Sequence, residues 1–367
     1  MSFLLQQLLL HPRRILDLDN AQLNQLISQA RSSNLLASLA MELASEHLEN
    51  QLSPNVTRHF QSALLVHEKQ KRDLNYDIEK IRLALDSIGE KLVLLKGAAY
   101  LLAELPVGRG RLISDIDIIV PFLRIDPTER ALNEVGWESS YVNSYNEYYY
   151  RKWGHEIPPL THLKRGTTLD VHHNILPPTA GPNVDASLLF ERLIEVKPGI
   201  FTLSQQDMVI HSATHLFHEG EFRHGLRDMW DLDRMLRDFP DQDPSFWKGL
   251  VDRARELELL GSLYHGLHYA QRVFGTPLPA GIIEEAENLS RRLRKPFMDF
   301  LFLRAFQPDH PQCRQRFTSL ALYLLYVRSH FLRMPLYLLL PHLARKAWMR
   351  HFDKKDSLEN EQNPEAI

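Results

Sequence analysis

The sequence predicts an α+β fold, in which a small mixed β-sheet core is flanked by N-terminal and C-terminal helical regions. Three observations carry that expectation. Apolar residues recur at helical spacing from Leu4 to about Leu85, a stretch with no glycine. Short β-rich runs then crowd the interval between Lys91 and Ile175, bounded by turn residues. After the Pro- and Gly-containing stretch Leu176 to Pro182, helical spacing returns and continues to about Phe352. The expected division is a helical region over 1–88, an α/β core over 89–200, a helical domain over 201–353 and a disordered acidic tail over 354–367.

In the first region Leu35, Leu36, Leu39, Met41 and Leu43 crowd one side of a helix, and Pro12 and Pro54 punctuate it into several helices. In the core, the expected strands are Leu92–Leu95, Ile116–Val120, Tyr141–Lys152 and Thr167–Ile175, with Gly166 turning a hairpin before the last. The segment Lys354 to Ile367 is polar, acidic and Pro-containing, as a frayed tail would be.

Composition narrows the function classes. The chain of 367 residues is 44% hydrophobic and 24% charged, with a formal net charge of -3. That balance suits a protein with a core of its own and excludes wrapping of nucleic acid by bulk charge, leaving a local basic face open. A single cysteine, Cys313, cannot form an internal disulfide and fits a reducing, cytoplasmic setting. The N-terminal apolar run precedes its arginines instead of following them, so it reads as a helix and not as a signal peptide. The most apolar later segment, Ser319 to Leu340, is interrupted by Arg328, His330 and Arg333, and so does not read as a transmembrane span.

The chemistry concentrates in Leu92-Val-Leu-Leu-Lys-Gly-Ala-Ala-Tyr and in Ser114-Asp-Ile-Asp-Ile-Ile-Val120. Side chains alternate along a strand, so Asp115 and Asp117 project from one face while Ile116, Ile118 and Val120 enter the core. Two carboxylates so close repel each other unless a hard cation such as Mg²⁺ or Mn²⁺ sits between them. On that view, neutralising Asp117 relieves repulsion and leaves stability nearly intact. The alternative for an Asp-x-Asp is a solvated strand end. Upstream, Lys96 and Gly97 join a strand to a helix start that presents N–H groups to an anion, with Lys96 adding a charge. Downstream, Asp170 stands on the polar face of Thr168-Leu-Asp-Val-His-His-Asn-Ile175, and one of His172 and His173 faces the same site. Three acids beside a Gly-led helix start suit two-metal phosphoryl transfer.

The run Leu-Leu-Lys-Gly-Ala-Ala, then Arg111, then Ser114-Asp-Ile-Asp-Ile-Ile-Val and Asp170-Val-His resembles the uncharacterised bacterial nucleotidyltransferase family of the polymerase-β-like superfamily. The likeness extends through Leu203-Ser-Gln-Gln-Asp207, His211, His215 and Leu226-Arg-Asp-Met-Trp-Asp231. It departs from the superfamily in one residue, Ala98, where a serine is usual, and in the long span from Gly97 to Asp115. The resemblance implies transfer of a nucleoside monophosphate from an NTP to an acceptor hydroxyl with Mg²⁺ or Mn²⁺. Asp115, Asp117 and Asp170 would be the catalytic metal ligands. Lys96, Gly97, Ala98, Arg111 and Ser114 would meet the nucleotide. For Arg111 two roles stay open: neutralising charge on the pyrophosphate, or orienting the loop through a salt bridge. A non-catalytic nucleotide-binding module on the same fold is the alternative reading. Neither the acceptor nor the oligomeric state is legible.

Other signals carry less. His211, His215 and His218 share a helix face, which suits a polar cleft lining with Arg227, Asp228 and Asp231 better than zinc. Tyr148, Tyr149 and Tyr150 read as packing aromatics. From Tyr323 to Phe352, apolar stretches alternate with Arg328, Arg333, Arg345, Lys346 and Arg350. The expected arrangement is packing, with Leu336, Leu339 and Leu340 buried. A membrane-facing surface would instead leave them exposed.

Overall fold

The computed structural model describes residues 4–139, 150–287 and 289–341. Four helices open the chain: α1 (Leu4–Leu10), α2 (Asn20–Ser32), α3 (Leu36–Ser45) and the long α4 (Pro54–Asp86). Their starts are chemically marked. Asp19 and Gln22 close a reciprocal capping box on α2, and Pro54 occupies the first turn of α4, where its missing N–H costs nothing.

A seven-stranded mixed sheet follows, formed by β1 (Leu92–Leu95), β2 (Asp115–Ile119), β3 (Trp137–Ser139), β4 (Leu160–His162), β5 (Thr168–His172), β6 (Ile194–Lys197) and β7 (Ile200–Thr202). Its order is β3-β4-β5-β2-β1-β7-β6. β2 runs parallel to β5 and β1 parallel to β7, while the other neighbours are antiparallel. The centre is buried: all four residues of β1, apolar on both faces, are inaccessible, as are Ile116, Ile118 and Ile119 of β2. Between β1 and β2 lies the short α5 (Lys96–Leu102), and α6 (Ile125–Glu134) packs beside α4. Gly166, at φ +69°, makes the turn between β4 and β5 that its sequence position predicts.

Beyond the sheet, α7 (Gln205–His218), α8 (Gly225–Gln242), α9 (Phe246–Glu256) and α10 (Leu260–Phe274) pack on one another, followed by α11 (Leu289–Ala305) and α12 (Thr318–Arg333). Buried residues from Leu5 to Leu325 form one contiguous apolar cluster through helices and sheet.

Three expectations need correction. The region after Pro182 is not helical throughout, since the β6–β7 hairpin adds an edge to the sheet, with Gly199 at φ +74° making its turn. Helical spacing had hidden it because β6 is exposed along its length and shows no alternation. Residues 150–153 form a helical turn and not the end of a strand, while the rest of the Tyr141–Lys152 run, including Tyr148 and Tyr149, lies outside the described residues. Near the C-terminus Leu339 is buried, but Leu336 and Leu340 are 52% and 62% exposed. The expected tail over 354–367 also lies outside the described residues.

Candidate active site

Strand pairing assembles three acids from two distant stretches. Asp115 opens β2 and Asp117 follows two residues later on the same face. The parallel register sets Asp117 beside Asp170, Asp115 beside Thr168 and Ile119 beside His172. Neighbouring strands lie about 4.8 Å apart, so Asp117 and Asp170 project from adjacent positions. On the other side, antiparallel β1 places Leu95 opposite Asp117, and the chain turns directly into α5. Lys96 makes that turn at φ +46°, a left-handed conformation costly for a side chain with a Cβ, and the kind of strain that clusters at functional sites.

The consequence is an ion pair between a buried carboxylate and a partly buried ammonium. Lys96 Nζ donates to Asp117 Oδ1 at 2.7 Å, and Asp117 is only 3% exposed. His172 Nε2 lies 3.0 Å from the same oxygen. Burial alone would raise the Asp117 pKa, but the Lys96 ammonium and His172 outweigh it and hold the carboxyl well below the usual range. Asp170 has the opposite fate. Burial, with the charges of Asp117 and Glu156 added, pushes it up to about 7, and its Oδ1 is buried with no hydrogen-bond partner among the described residues. Asp115 takes a hydrogen bond from Ser114 Oγ at 2.7 Å.

An unpartnered buried carboxylate oxygen beside two further acids is a donor set that suits a divalent cation. The three aspartates nevertheless do not converge to one point. Asp117 turns toward Lys96 and Asp115 toward Ser114, as like charges do when other partners are in reach. The tightest ligand group among the described residues lies just beyond them: His155, Glu156 and His172 each offer one atom, all within 4.8 Å of one another. His172 Nδ1 is 3.2 Å from Glu156 Oε2 while its Nε2 meets Asp117, so one imidazole joins the two carboxylates. Burial, then His172, lowers the His155 pKa well below normal, keeping that imidazole neutral. His155 and Glu156 escaped the sequence reading because they belong to no strand. A single bridge between Glu156 and His172 brings them in.

The remaining predicted residues divide. Gly97 borders the cleft, where an added Cβ would stand 3.4 Å from Ile113 and 3.9 Å from Arg111. Ala98 is buried at 1% exposure and does not line the cleft. Arg111 does line it, yet its Nε donates to Asp231 Oδ2 at 2.7 Å and its Nη2 is 3.6 Å from Asp228, both on α8. The guanidinium therefore clamps the loop before β2 to that helix. Arg227, Asp228 and Asp231 form the far wall with Tyr100, Ser212 and His215. His211 is buried behind it and its pKa falls to about 3 through burial and the nearby Lys96 charge, whereas His173 packs edge-on against Phe122. His218 pairs with the Thr214 carbonyl at 3.0 Å, away from the cleft.

Residues 19–275 match a family described as an uncharacterised nucleotidyltransferase. No curated protein and no solved structure matches the chain. The matched span contains the whole sheet and every residue of the cleft. The chain belongs to that family.

Proposed function

From this membership as premise, we propose that the chain is a metal-dependent nucleotidyltransferase that moves a nucleoside monophosphate from an NTP to an acceptor hydroxyl. The observation that carries the reading is the register Asp117 beside Asp170, with Asp115 on the same face and Lys96 at the cleft. Asp115, Asp117 and Asp170 would hold Mg²⁺ or Mn²⁺, which when bound neutralises charge on the phosphates and lowers the pKa of the attacking hydroxyl. The transfer forms a bond from the acceptor oxygen to the α-phosphorus and breaks the bond to pyrophosphate. Asp170, which the strand register sets beside Asp117, is placed to accept the hydroxyl proton. Lys96 balances Asp117 in the resting site and supplies a cation at the cleft for incoming phosphate. His172 holds Asp117 in place, and Arg111 keeps the loop carrying Ser114 and Asp115 against α8.

One observation favours a second reading, a module that binds nucleotide without transfer: Lys96 already neutralises Asp117, and the three acids do not converge. Incubation with labelled NTPs, Mg²⁺ or Mn²⁺ and cell extract separates the two. Release of pyrophosphate with labelling of an acceptor supports transfer. Nucleotide binding with no pyrophosphate released under either metal supports the second reading and overturns the first.

A further inference from the structure

The charge of this chain is distributed unevenly. Residues 289–350 contain twelve Lys and Arg against Asp299 and Asp309, a net of +10, while residues 1–288 contain 29 against 39, a net of -10. Such asymmetry in a chain of net charge -3 marks one end for an anionic partner.

The same end carries the exposed apolar surface. Among the described residues, ten of the twenty large hydrophobic side chains left exposed fall between Leu293 and Leu340. Helix α12 shows why. Ala321, Leu325 and Ser329 form its buried stripe. On the opposite side, Leu320, Tyr323, Val327 and Phe331 recur at helical spacing, and Leu320, Tyr323 and Phe331 are 48%, 62% and 52% exposed. A helix that is apolar on both sides has a second surface to cover. Beyond α12, Leu336, Tyr337 and Leu340 are exposed as well.

Between α11 and α12, over the floor of α10, lies a groove of about 420 Å³, lined by Tyr269, Phe297, Leu301 and Phe331 among others. That is within the usual range of ligand sites, about 300–1,000 Å³. Arg294, Lys295 and Arg328 border it, and none forms an ion pair with a carboxylate among the described residues. Arg328 donates to the Phe217 carbonyl at 2.7 Å, and burial without a carboxylate beside it brings its pKa down to about 10.

We propose that this basic, apolar face docks on an anionic phospholipid bilayer, with Leu320, Tyr323, Phe331 and Leu336 entering the interface and the groove between α11 and α12 taking an acyl segment. Arg294 and Lys295 meet the lipid phosphates. An apolar surface bordered by Arg294 and Lys295, which no carboxylate pairs among the described residues, fits a bilayer, in which anionic headgroups lie over hydrocarbon, better than it fits a free anion or water. No helix among the described residues is long and apolar enough to cross a membrane, so the attachment is peripheral. The groove shares no residue with the candidate active site.

Co-sedimentation of the full chain with phosphatidylcholine vesicles, with and without phosphatidylglycerol, tests it. Binding is expected to the anionic vesicles only and to weaken as salt rises, because the screening length falls from about 10 Å at 0.1 M to about 3 Å at 1 M. Arg294→Gln with Lys295→Gln should weaken partitioning roughly 30-fold, from about 1 kcal/mol per cation. Phe297→Ser with Phe331→Ser should weaken it at least about tenfold, from the loss of buried apolar area. All four residues lie at the surface or partly so, and unchanged melting of each variant will show that the fold is kept. Absence of binding at low salt, equal binding to neutral vesicles, or binding indifferent to both double variants would each overturn the proposal. So would two rival outcomes without vesicle binding: a dimer abolished by the Phe297 and Phe331 changes, or RNA binding abolished by the Arg294 and Lys295 changes.

Discussion

Asp117 stands between two roles that a sequence cannot separate. Read along the strand, it is one of two repelling carboxylates, and its neutralisation looks harmless. In the folded chain it is the counter-ion of partly buried Lys96 and the partner of His172. Asp117→Asn is therefore expected to lose transfer and also to destabilise the protein by about 1–3 kcal/mol, because a partly buried ammonium at the cleft is left without its charge partner. A chemical melt of the variant that matches the wild type would refute this pairing as a source of stability. Asp115→Asn separates function from folding. That carboxylate is half-buried and, among the described residues, hydrogen-bonded only to Ser114, so stability should change by less than about 0.5 kcal/mol while pyrophosphate release falls by about a hundredfold or more. Full activity of Asp115→Asn at saturating Mg²⁺ would remove it from the metal site.

At the scale of elements, the loop before β2 is held from two directions. Arg111 ties it to α8, and Gly110 lies against the N-terminal helices: a Cβ there would stand 2.5 Å from the Ala37 carbonyl and the Ser38 nitrogen, at φ +71°. Ser38 Oγ donates back to the Gly110 carbonyl at 3.2 Å. Gly110→Ala combines a left-handed backbone with an overlap that no rotamer relieves, and should lower stability by about 2–4 kcal/mol, seen as a fall in Tm. A wild-type Tm would show that the contact with α3 gives way freely. A second buried pair anchors α7 to α9, where Arg253 Nε meets Asp207 Oδ1 at 2.7 Å and both side chains are inaccessible. Asp207→Ala takes the buried carboxylate from a guanidinium that keeps only the more exposed Glu256 at 2.8 Å and the Leu188 carbonyl at 2.7 Å, with an expected loss of about 3 kcal/mol in urea unfolding. A loss below about 1 kcal/mol would count against that anchor.

For the whole molecule, buried histidines set the acid limit. Burial lowers the His218 pKa from 6.5 to about 4 in the folded chain. Above pH 6.5 the imidazole is neutral both folded and unfolded, and contributes nothing to the pH dependence. As pH falls from 6.5 to 4, the unfolded chain takes up the proton and the folded chain does not, so stability falls until the folded form also titrates. The full effect is roughly 3 kcal/mol, at about 1.4 kcal/mol per pH unit. Urea titrations across that window should show a shallower fall for His218→Gln, and an unchanged slope would mean that the imidazole protonates freely in the folded state. His211, lowered to about 3, adds to the same trend and should keep it going to lower pH.

The sequence by itself determined the helix–sheet–helix order, the strands at β1, β2 and β5, and the face shared by Asp115 and Asp117. Each rests on a period of 2 or 3.6 or on a glycine at a turn, all local properties of the chain. What it could not contain is pairing between distant segments. The register that sets Asp117 beside Asp170 and the single bridge that delivers His155 and Glu156 both depend on strands meeting. The engagement of Arg111 by Asp228 and Asp231 likewise awaits the docking of α8. Burial belongs to the same class. One apolar period on α12 reads as core in either direction, and only the packed fold decides that Ala321 and Leu325 go inside while Tyr323 and Phe331 remain outside. Local periodicity specifies which side of an element is apolar. Which apolar side finds a partner is settled only by long-range contacts whose cost is chain entropy and whose return is burial.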